Sequence, residues 1–504
     1  MANEKKDFLN NVEEQIAWRP LRKTLSQELE EHIFDRMEAY QTEGISQEEA
    51  EALAVRDMGD PIVIGTNLNE VHQIQKAPFL AILTLLLSAL GLAGSAYMRW
   101  SPEQWSNGFF YYVPGLLVLF LMSWKGYPMI IRHSRWLIRM AGGLFFVEEF
   151  LIARRLVLFW QMGYLRYFSI LLFGPFLILL AYRMRRYRSK TILMILTLCG
   201  IIICLPGFYF DSRRDLPACL VLLAGVAGAL LLMIHREIFS GNSSARKRLY
   251  GLTLAGVAAV GVLFGATRER REMIRWFLWP EDNIQSTWDD TYNSILIRQL
   301  LRETPLVGGI ELTPRELMDY GTGAWYFAER DPRQIGVYAI HKTEQEVQKF
   351  DALIAEIREA GGNPRYIHFD ESNVTLWDIL PQHYHNNYRI IIAILLFGWL
   401  AGAVLVAAIG GFYWLLFVYI RKIRGKLAFS LSCCCGFCLL TESILYLLGN
   451  FGYQYAAFTN LPMISEGRIS ILVNMAMLGF IFSAYRYDRV EVEPVSMIGD
   501  SRLS

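Results

Sequence analysis

Apolar residues in this 504-residue chain come in long runs rather than in strict alternation. An α-helix needs roughly 20 mostly apolar residues to cross a bilayer. Ten stretches fit: residues 78–98, 108–124, 139–160, 164–182, 191–210, 216–234, 250–266, 388–420, 427–449 and 469–485. The third is interrupted by Glu148, Glu149, Arg154 and Arg155, which a bilayer interior tolerates poorly. The plain reading is that this run is displaced and its charges sit at the interface. The eighth is long enough to extend past the bilayer. The first apolar run starts too late for a secretory signal, after 77 charged and mixed residues.

The flanking segments have other periods. In residues 1–75, Leu21, Leu25, Leu29, Ile33 and Met37 recur every fourth position, the stripe of a packed helix. Gly44 ends that helix, and Ser46 with Glu49 opens the next as a capping box. That helix runs to Met58 and breaks at Gly59-Asp60-Pro61. Between the seventh and eighth runs lie residues 268–387. There 335–340 reads as a strand and 343–360 as an amphipathic helix, with Val347, Phe350, Leu353, Ile354 and Ile357 on one face. Gly361-Gly362 closes the helix, and 364–369 reads as a second strand, so a small β-α-β insertion is expected.

Composition sharpens this picture. Hydrophobic residues make up 53% and charged residues 19%, against about a quarter charged in soluble chains, and mean hydropathy is +0.26. A soluble multi-domain enzyme is disfavoured. Lys and Arg number 49 against 48 Asp and Glu, so no basic excess points to nucleic acid. All seven cysteines (Cys199, Cys204, Cys219, Cys433, Cys434, Cys435, Cys438) lie in or beside apolar runs, as buried thiols do, and lack the spacing of metal pairs. There is no P-loop and no glycine-rich nucleotide motif after a strand, which argues against an ATP-driven pump.

Positive charge sets the orientation. Arg183, Arg185, Arg186, Arg188 and Lys190 follow run four. Arg236, Arg246, Lys247 and Arg248 follow run six, and Arg421, Lys422, Arg424 and Lys426 follow run eight. With ten spans these share the cytoplasmic side with both termini, and 268–387 lies outside. Arg154, Arg155, Arg213 and Arg214 are mild exceptions. The expected fold is an all-α polytopic membrane protein of about ten transmembrane helices. It carries a small cytoplasmic helical N-terminal domain and a small α/β extracytoplasmic insertion. Its parts are 1–75, spans one to seven in 78–267, the loop 268–387, spans eight to ten in 388–486, and a cytoplasmic tail 487–504.

Several segments carry resemblances. "ISQEEAEALAVRDMGDPIVIGTNLNEVH" is similar to the HAAS, or permease prefix, domain, which implies an interaction or regulatory role rather than chemistry. "GNFGYQYAAFTNLPMISEGRISILVNMAMLGFIFSAYR" resembles the end of the SEDS family, which includes FtsW, RodA and SpoVE. There a re-entrant loop carries "LPFISYGG" before a last span beginning "LLVNM". Leu461-Pro462-Met463-Ile464-Ser465 and Ile471-Leu472-Val473-Asn474-Met475 fit, while Glu466-Gly467-Arg468 replaces Tyr-Gly-Gly. "RREMIRWFLWPEDNIQSTWDDTYNSILIRQLLRETPLVGG" matches a second family segment in approximate register through Arg271 or Arg275, Pro280 and Tyr292. "LPQHYHNNYRIIIAILLFGWLAG" matches a third, with His385 on the family His, Tyr388 on its Phe and Asn387 on its essential Asp.

The resemblance implies a bacterial plasma-membrane protein of peptidoglycan synthesis, cell shape or division. The family polymerises glycan strands from lipid II: a sugar hydroxyl attacks an anomeric carbon and a lipid diphosphate leaves. A carboxylate takes the hydroxyl proton, and Arg side chains or a divalent cation stabilise the diphosphate. The implied substrate contacts are Arg271, Arg275, His385, Ser465, Glu466 and Arg468. Implied partners are lipid II or a related undecaprenyl lipid, a class B penicillin-binding protein and membrane lipids. Asn387 cannot serve as the base, because an amide does not take a proton near neutral pH. Three readings stay open: a non-catalytic relative, a substitute carboxylate (Asp378 foremost, then Glu371, Asp370 or Asp290), or another residue in the role. His383 and His385 are further bases by position, though a His pair flanking Tyr384 also suits a membrane interface. Glu442 lies inside the ninth run. Readings from other classes are a membrane scaffold or sensor of wall synthesis and, less favoured, a permease.

Overall fold

The structure is a computed structural model and describes residues 2–97, 105–153, 173–183, 185, 212–239, 242–283, 290–312, 325–328, 331–336, 359, 388–454, 459–465 and 467–491. The N-terminal bundle comprises α1 (Ala2–Gln15), α2 (Arg19–Thr42), α3 (Gln47–Met58) and α4 (Pro61–Val71). Then follow α5 (Pro78–Tyr97), α6 (Trp105–Ala153), α7 (Phe173–Arg183), α8 (Ser212–His235), α9 (Ser243–Phe264) and α10 (Arg268–Leu278). A 3-10 turn (Pro280–Asn283) leads to α11 (Asp290–Glu303) and a hairpin of β1 (Trp325–Ala328) with β2 (Asp331–Gly336). The chain ends in α12 (Arg389–Phe397), α13 (Trp399–Lys422), α14 (Lys426–Asn450) and α15 (Arg468–Tyr487). The protein is an all-α polytopic membrane protein: among the described residues six helices, α5, α6, α8, α13, α14 and α15, are long and apolar enough to cross a membrane.

In the N-terminal bundle, Leu21, Leu25, Leu29 and Ile33 point inward and pack with Phe8, Val12, Ile16 and Ala54. Ser46 caps α3 by accepting from the Glu49 amide. Asp60 accepts from the Ile62 amide at 2.8 Å and Pro61 occupies the first turn, so the break after Met58 is the start of α4. The Tyr40 hydroxyl donates to Asp57, and that bond holds the phenol above its ordinary pKa.

This bundle docks on the end of α15. Trp18 lies at the edge of the small core and of the large one, with its ring 5.5 Å from that of Tyr487. The His72 ring meets the Arg489 carbonyl at 2.7 Å, and the Gln75 amide donates to the Arg486 carbonyl at 3.1 Å. Near this end Asp488 accepts from the Arg424 and Gly425 amides at 2.8 and 2.7 Å, capping α14 across the fold. Arg236 donates to the Arg421 and Ile423 carbonyls at the end of α13. Glu491 pairs with Arg132 at 3.5 Å; burial raises its carboxyl pKa while the guanidinium pulls it down.

The structure departs from the sequence reading in three places. Run 108–124 and the described part of run 139–160, up to Ala153, lie on two helical segments of α6 that meet at a kink at His133 (φ −115°, ψ 16°), so the polar stretch between them is helical apart from that kink. Pro128 interrupts its backbone ladder, and Ser483 of α15 accepts from the adjacent Tyr127 amide at 3.0 Å. Run 388–420 is two helices, broken at Gly398 (φ +90°, ψ 173°). The strand expected at 335–340 begins earlier. Its residues Ile335 and Gly336 pair antiparallel with Tyr326 and Trp325 in a local hairpin. Residues 337–340, the second expected strand 364–369, most of the helix 343–360 and the run 191–210 lie outside the described residues.

The break at Gly398 is filled by another segment. Gly308 and Ile310 donate to the Phe397 and Leu395 carbonyls, and Trp399 and Leu400 donate to those of Pro305 and Leu306. A Cβ on Gly398 would lie 2.7 Å from the Leu306 oxygen, in a conformation that L side chains avoid. Gly398→Ala is expected to lower stability by about 1–3 kcal/mol. Gly410→Ala, in open space on α13, is expected to be neutral or slightly stabilising. Thermal unfolding of the two variants in detergent, followed by circular dichroism, checks this.

Candidate functional site

At the end of the bundle remote from the N-terminal domain, polar groups gather in an otherwise apolar interior. Tyr388 is fully buried and its hydroxyl donates to Gln454 at 2.5 Å. Arg389, 6% exposed, opens α12; its amide donates to the Tyr446 hydroxyl at 3.0 Å and its guanidinium to Ser95 of α5 at 2.8 Å. Asn450, the last residue of α14, accepts from both the Ile390 and Ile391 amides at 3.2 Å and donates to the Tyr446 carbonyl at 3.0 Å. It acts as a helix cap supplied by a different helix. The first amides of α12 are thus all met within the protein, and the Arg389 guanidinium is the positive group beside them.

The loop after α14 folds back into the bundle. The Thr459 hydroxyl donates at 2.6 Å to the carbonyl of Glu442, eight residues before the end of α14, or about 12 Å along the helix. The Ser465 hydroxyl accepts from the Leu461 amide at 2.6 Å and donates to its carbonyl at 3.1 Å, closing Leu461–Ser465 on itself. Tyr112 of α6 donates to the Ile464 carbonyl at 3.0 Å, and Asn460 donates to Ser470 at 2.7 Å. Met463 has φ +71° and is buried. A non-glycine residue there is strained by about 1–2 kcal/mol, and such strain gathers at functional sites. Gly91 of α5 lies directly against the Met463 carbonyl and Ser95 holds Arg389 one turn further on, so one face of α5 links loop and mouth.

A third segment covers this end. The amphipathic α11 buries Leu296, Ile297, Leu300 and Leu301. Arg298 donates to the Gly452 carbonyl at 3.0 Å, pairs with Glu281 at 3.5 Å and lies over the Tyr453 ring at 4.2 Å. Trp399 donates to the Leu301 carbonyl at 3.0 Å and stacks on Phe451.

The residues singled out from the sequence fare unevenly. Ser465 is buried at the site, but its hydroxyl is engaged within its own loop. Arg271 is exposed and donates to the Gly265 and Ala266 carbonyls after α9, and Arg275 is exposed on α10. The structure also places Arg389 and Arg298 at this end, two cations that the sequence reading passed over. A lone Arg heading an apolar run was the available signal for Arg389. Arg468 begins α15, and its side chain, like all of Asn387, Asp378, His385, Glu466, His383, Glu371 and Asp370, lies outside the described residues. Asp290 is the first residue of α11. Among the described residues no group of three or more His, Cys, Asp or Glu could hold a metal ion. Cys433, Cys434, Cys435 and Cys438 are free and buried, and Cys434 and Cys438 pack against α7 and α8 at Gly174 and Gly225.

No protein-family model matches this chain, and no curated protein matches it. Among solved structures it is similar to one described as "Structural coordination of polymerization and crosslinking by a peptidoglycan synthase complex". The identity is 16%, the TM-score is 0.49, and the match covers 82% of this chain and 99% of that one.

The cap by Asn450 is testable. Asn450→Leu keeps the branched outline of the side chain, with more bulk, but leaves two buried amides without an acceptor, at about 1–3 kcal/mol each. Asn450→Asp keeps the acceptor for both amides but loses the donor to the Tyr446 carbonyl, and is expected to lose less. Thermal unfolding in detergent should rank wild type above the Asp variant and the Asp variant above the Leu variant.

Proposed function

We propose that this protein is a SEDS-like integral membrane protein of bacterial peptidoglycan synthesis, acting where a lipid-linked sugar precursor meets the outer face. The observation that carries the reading is convergence: the three segments whose sequences resemble that family meet at one end of the bundle. The Leu461–Ser465 loop is walled by α5 and α6, Tyr388 and Arg389 open beside it, and Arg298 of α11 closes over Gly452.

In this reading the diphosphate of the precursor is held at the Arg389 mouth, and the lipid tail lies along the apolar helices. Glycosyl transfer would then join the anomeric carbon to an incoming sugar hydroxyl, break the bond to the diphosphate, and pass the hydroxyl proton to a base. The residue at the family's base position is Asn387, one step before the buried Tyr388. An amide cannot take that proton, and loss of a general base costs about 10²–10⁴-fold. We therefore favour a chain that has lost most polymerase activity. A scaffold or sensor role is the second reading. The observation favouring it is the docking of the N-terminal bundle on the far terminus of α15, the helix that begins at the re-entrant loop.

Purified wild-type protein is expected to polymerise lipid II weakly or not at all, and Asn387→Asp to raise the rate. Robust wild-type polymerisation that is abolished by Asp378→Asn or Glu371→Gln, but unaffected at Asn387, would overturn the inactive reading. The orientation has its own check. With Ser286→Cys and Ser26→Cys in intact cells, an impermeant thiol reagent should label only position 286.

A further inference from the structure

Glu442 is the one carboxyl of α14, and it is wholly buried. Neither of its side-chain oxygens has a hydrogen-bond partner. Asn474 of α15, 3% exposed, lies against the Glu442 carboxyl, and its own amide oxygen also lacks a partner. Two neighbouring side chains on two helices thus carry three acceptor oxygens and no donor to serve them. An ionisable residue inside a membrane bundle is costly, and where one persists it marks a candidate site.

The described neighbours are engaged elsewhere. On α13 the Tyr413 hydroxyl meets the Leu439 carbonyl and Ser443 at 2.8 and 2.6 Å, though it stands close enough to feel the Glu442 charge. On α12 the Arg389 guanidinium is directed to Ser95, and its amide to Tyr446, a turn further along α14. On α8 the Val221 carbonyl accepts from the Cys438 thiol, a turn before Glu442, and Gly225 packs on the same thiol. The Thr459 hydroxyl serves the backbone carbonyl of Glu442, not its carboxyl. The facing group on α15 is the neutral Asn474. An ionised carboxylate in such a place is strongly disfavoured. A single added proton serves all three oxygens. With the two end groups turned face to face, the acid hydroxyl donates to the amide oxygen and the amide N–H donates to the acid carbonyl.

We propose that the seam between α14 and α15 is a proton-binding site, in which Glu442 carries a proton at neutral pH and the resulting acid–amide pair with Asn474 joins the two helices. The bound proton is then part of the packed structure, as a ligand is. An ionised Glu442 would have nothing to offer the Asn474 oxygen and would itself lie unsolvated in the seam. The proposal does not depend on whether the protein is a polymerase.

Two readouts on the full chain test this. Infrared spectra in lipid nanodiscs, at neutral pH and free of sodium and potassium, should show the carbonyl stretch of a protonated carboxylic acid, absent in Glu442→Gln. Gln can form the same face-to-face pair with Asn474, so that variant keeps the seam. In Asn474→Leu, which serves also if Glu442→Gln does not fold, the acid band should remain and move to higher frequency, because its hydrogen bond is gone. The second readout is unfolding by dodecyl sulfate in mixed micelles, followed by circular dichroism. In the unfolded chain a glutamate is ionised above about pH 4.3, whereas the folded site keeps its proton. The unfolding constant of wild type divided by that of Glu442→Gln should therefore rise with pH, by up to about tenfold per unit, the limit for one proton. Absence of the acid band, a band unmoved in Asn474→Leu, or a ratio independent of pH would overturn the proposal. So would a band that vanishes when sodium is added, which would make the three oxygens a site for a metal cation.

Discussion

A bilayer offers no partner for a backbone amide, and the far end of this protein is shaped by that single constraint. Wherever a helix stops or bends inside the apolar region, its exposed amides and carbonyls must be met by protein, because each unmet group costs several kcal/mol. Asn450 meets the first amides of α12. The segment from Pro305 to Ile310 meets the break at Gly398. Ser465 meets Leu461, and Ser483 meets Tyr127 beside Pro128. These are polar side chains and backbone acting as local solvent. They hold an irregular chain at membrane depth, which regular helices alone could not do.

The same constraint makes the site chemically distinct. Groups that satisfy backbone are fixed, so Tyr446, Asn450 and Ser465 are rigid walls. Arg389 stands at the mouth with its guanidinium on a neutral hydroxyl, and Met463 keeps a strained backbone under the contacts of Tyr112 and Gly91. Strain and buried charge persist only where surrounding packing holds them. Here the packing comes from α5, α6, α14 and α15 together, since the last helix lies along α6 and the α14 cysteines close on α8.

The two ends of the molecule are joined by α15. It starts at the re-entrant loop, carries Asn474 past Glu442, lends Ser483 to the kink of α6, and finishes at Tyr487 against Trp18. Asp488, just beyond it, also caps α14. A displacement of the N-terminal bundle would therefore act on a helix whose other terminus borders the site. That continuity gives the small helical domain a mechanical route to the far end without any contact of its own there.

Periodicity by itself determined a good deal. Runs of twenty apolar residues can only be solvated by lipid or by each other, so the polytopic helical class followed from composition and run length. The stripe Leu21 to Ile33 and the caps at Ser46 and Asp60 are local, set by side chains within one turn of the backbone they serve. The Leu461–Ser465 loop was legible through the family resemblance and not through periodicity. Hydropathy could not separate a straight span from a broken one at Gly398, because the acceptors that permit the break arrive from Pro305 and Leu306, remote in sequence. Nor could it show that the polar stretch between the two runs of α6 is helical on both sides of the His133 kink, since the group that serves Tyr127 there is Ser483. Arg271 and Arg275 were singled out by position, and tertiary packing adds Arg389 and Arg298, which bond Ser95 and Gly452 across the fold. An amide's partner within four residues can be read from a sequence; a partner hundreds of residues away is decided only when the helices pack.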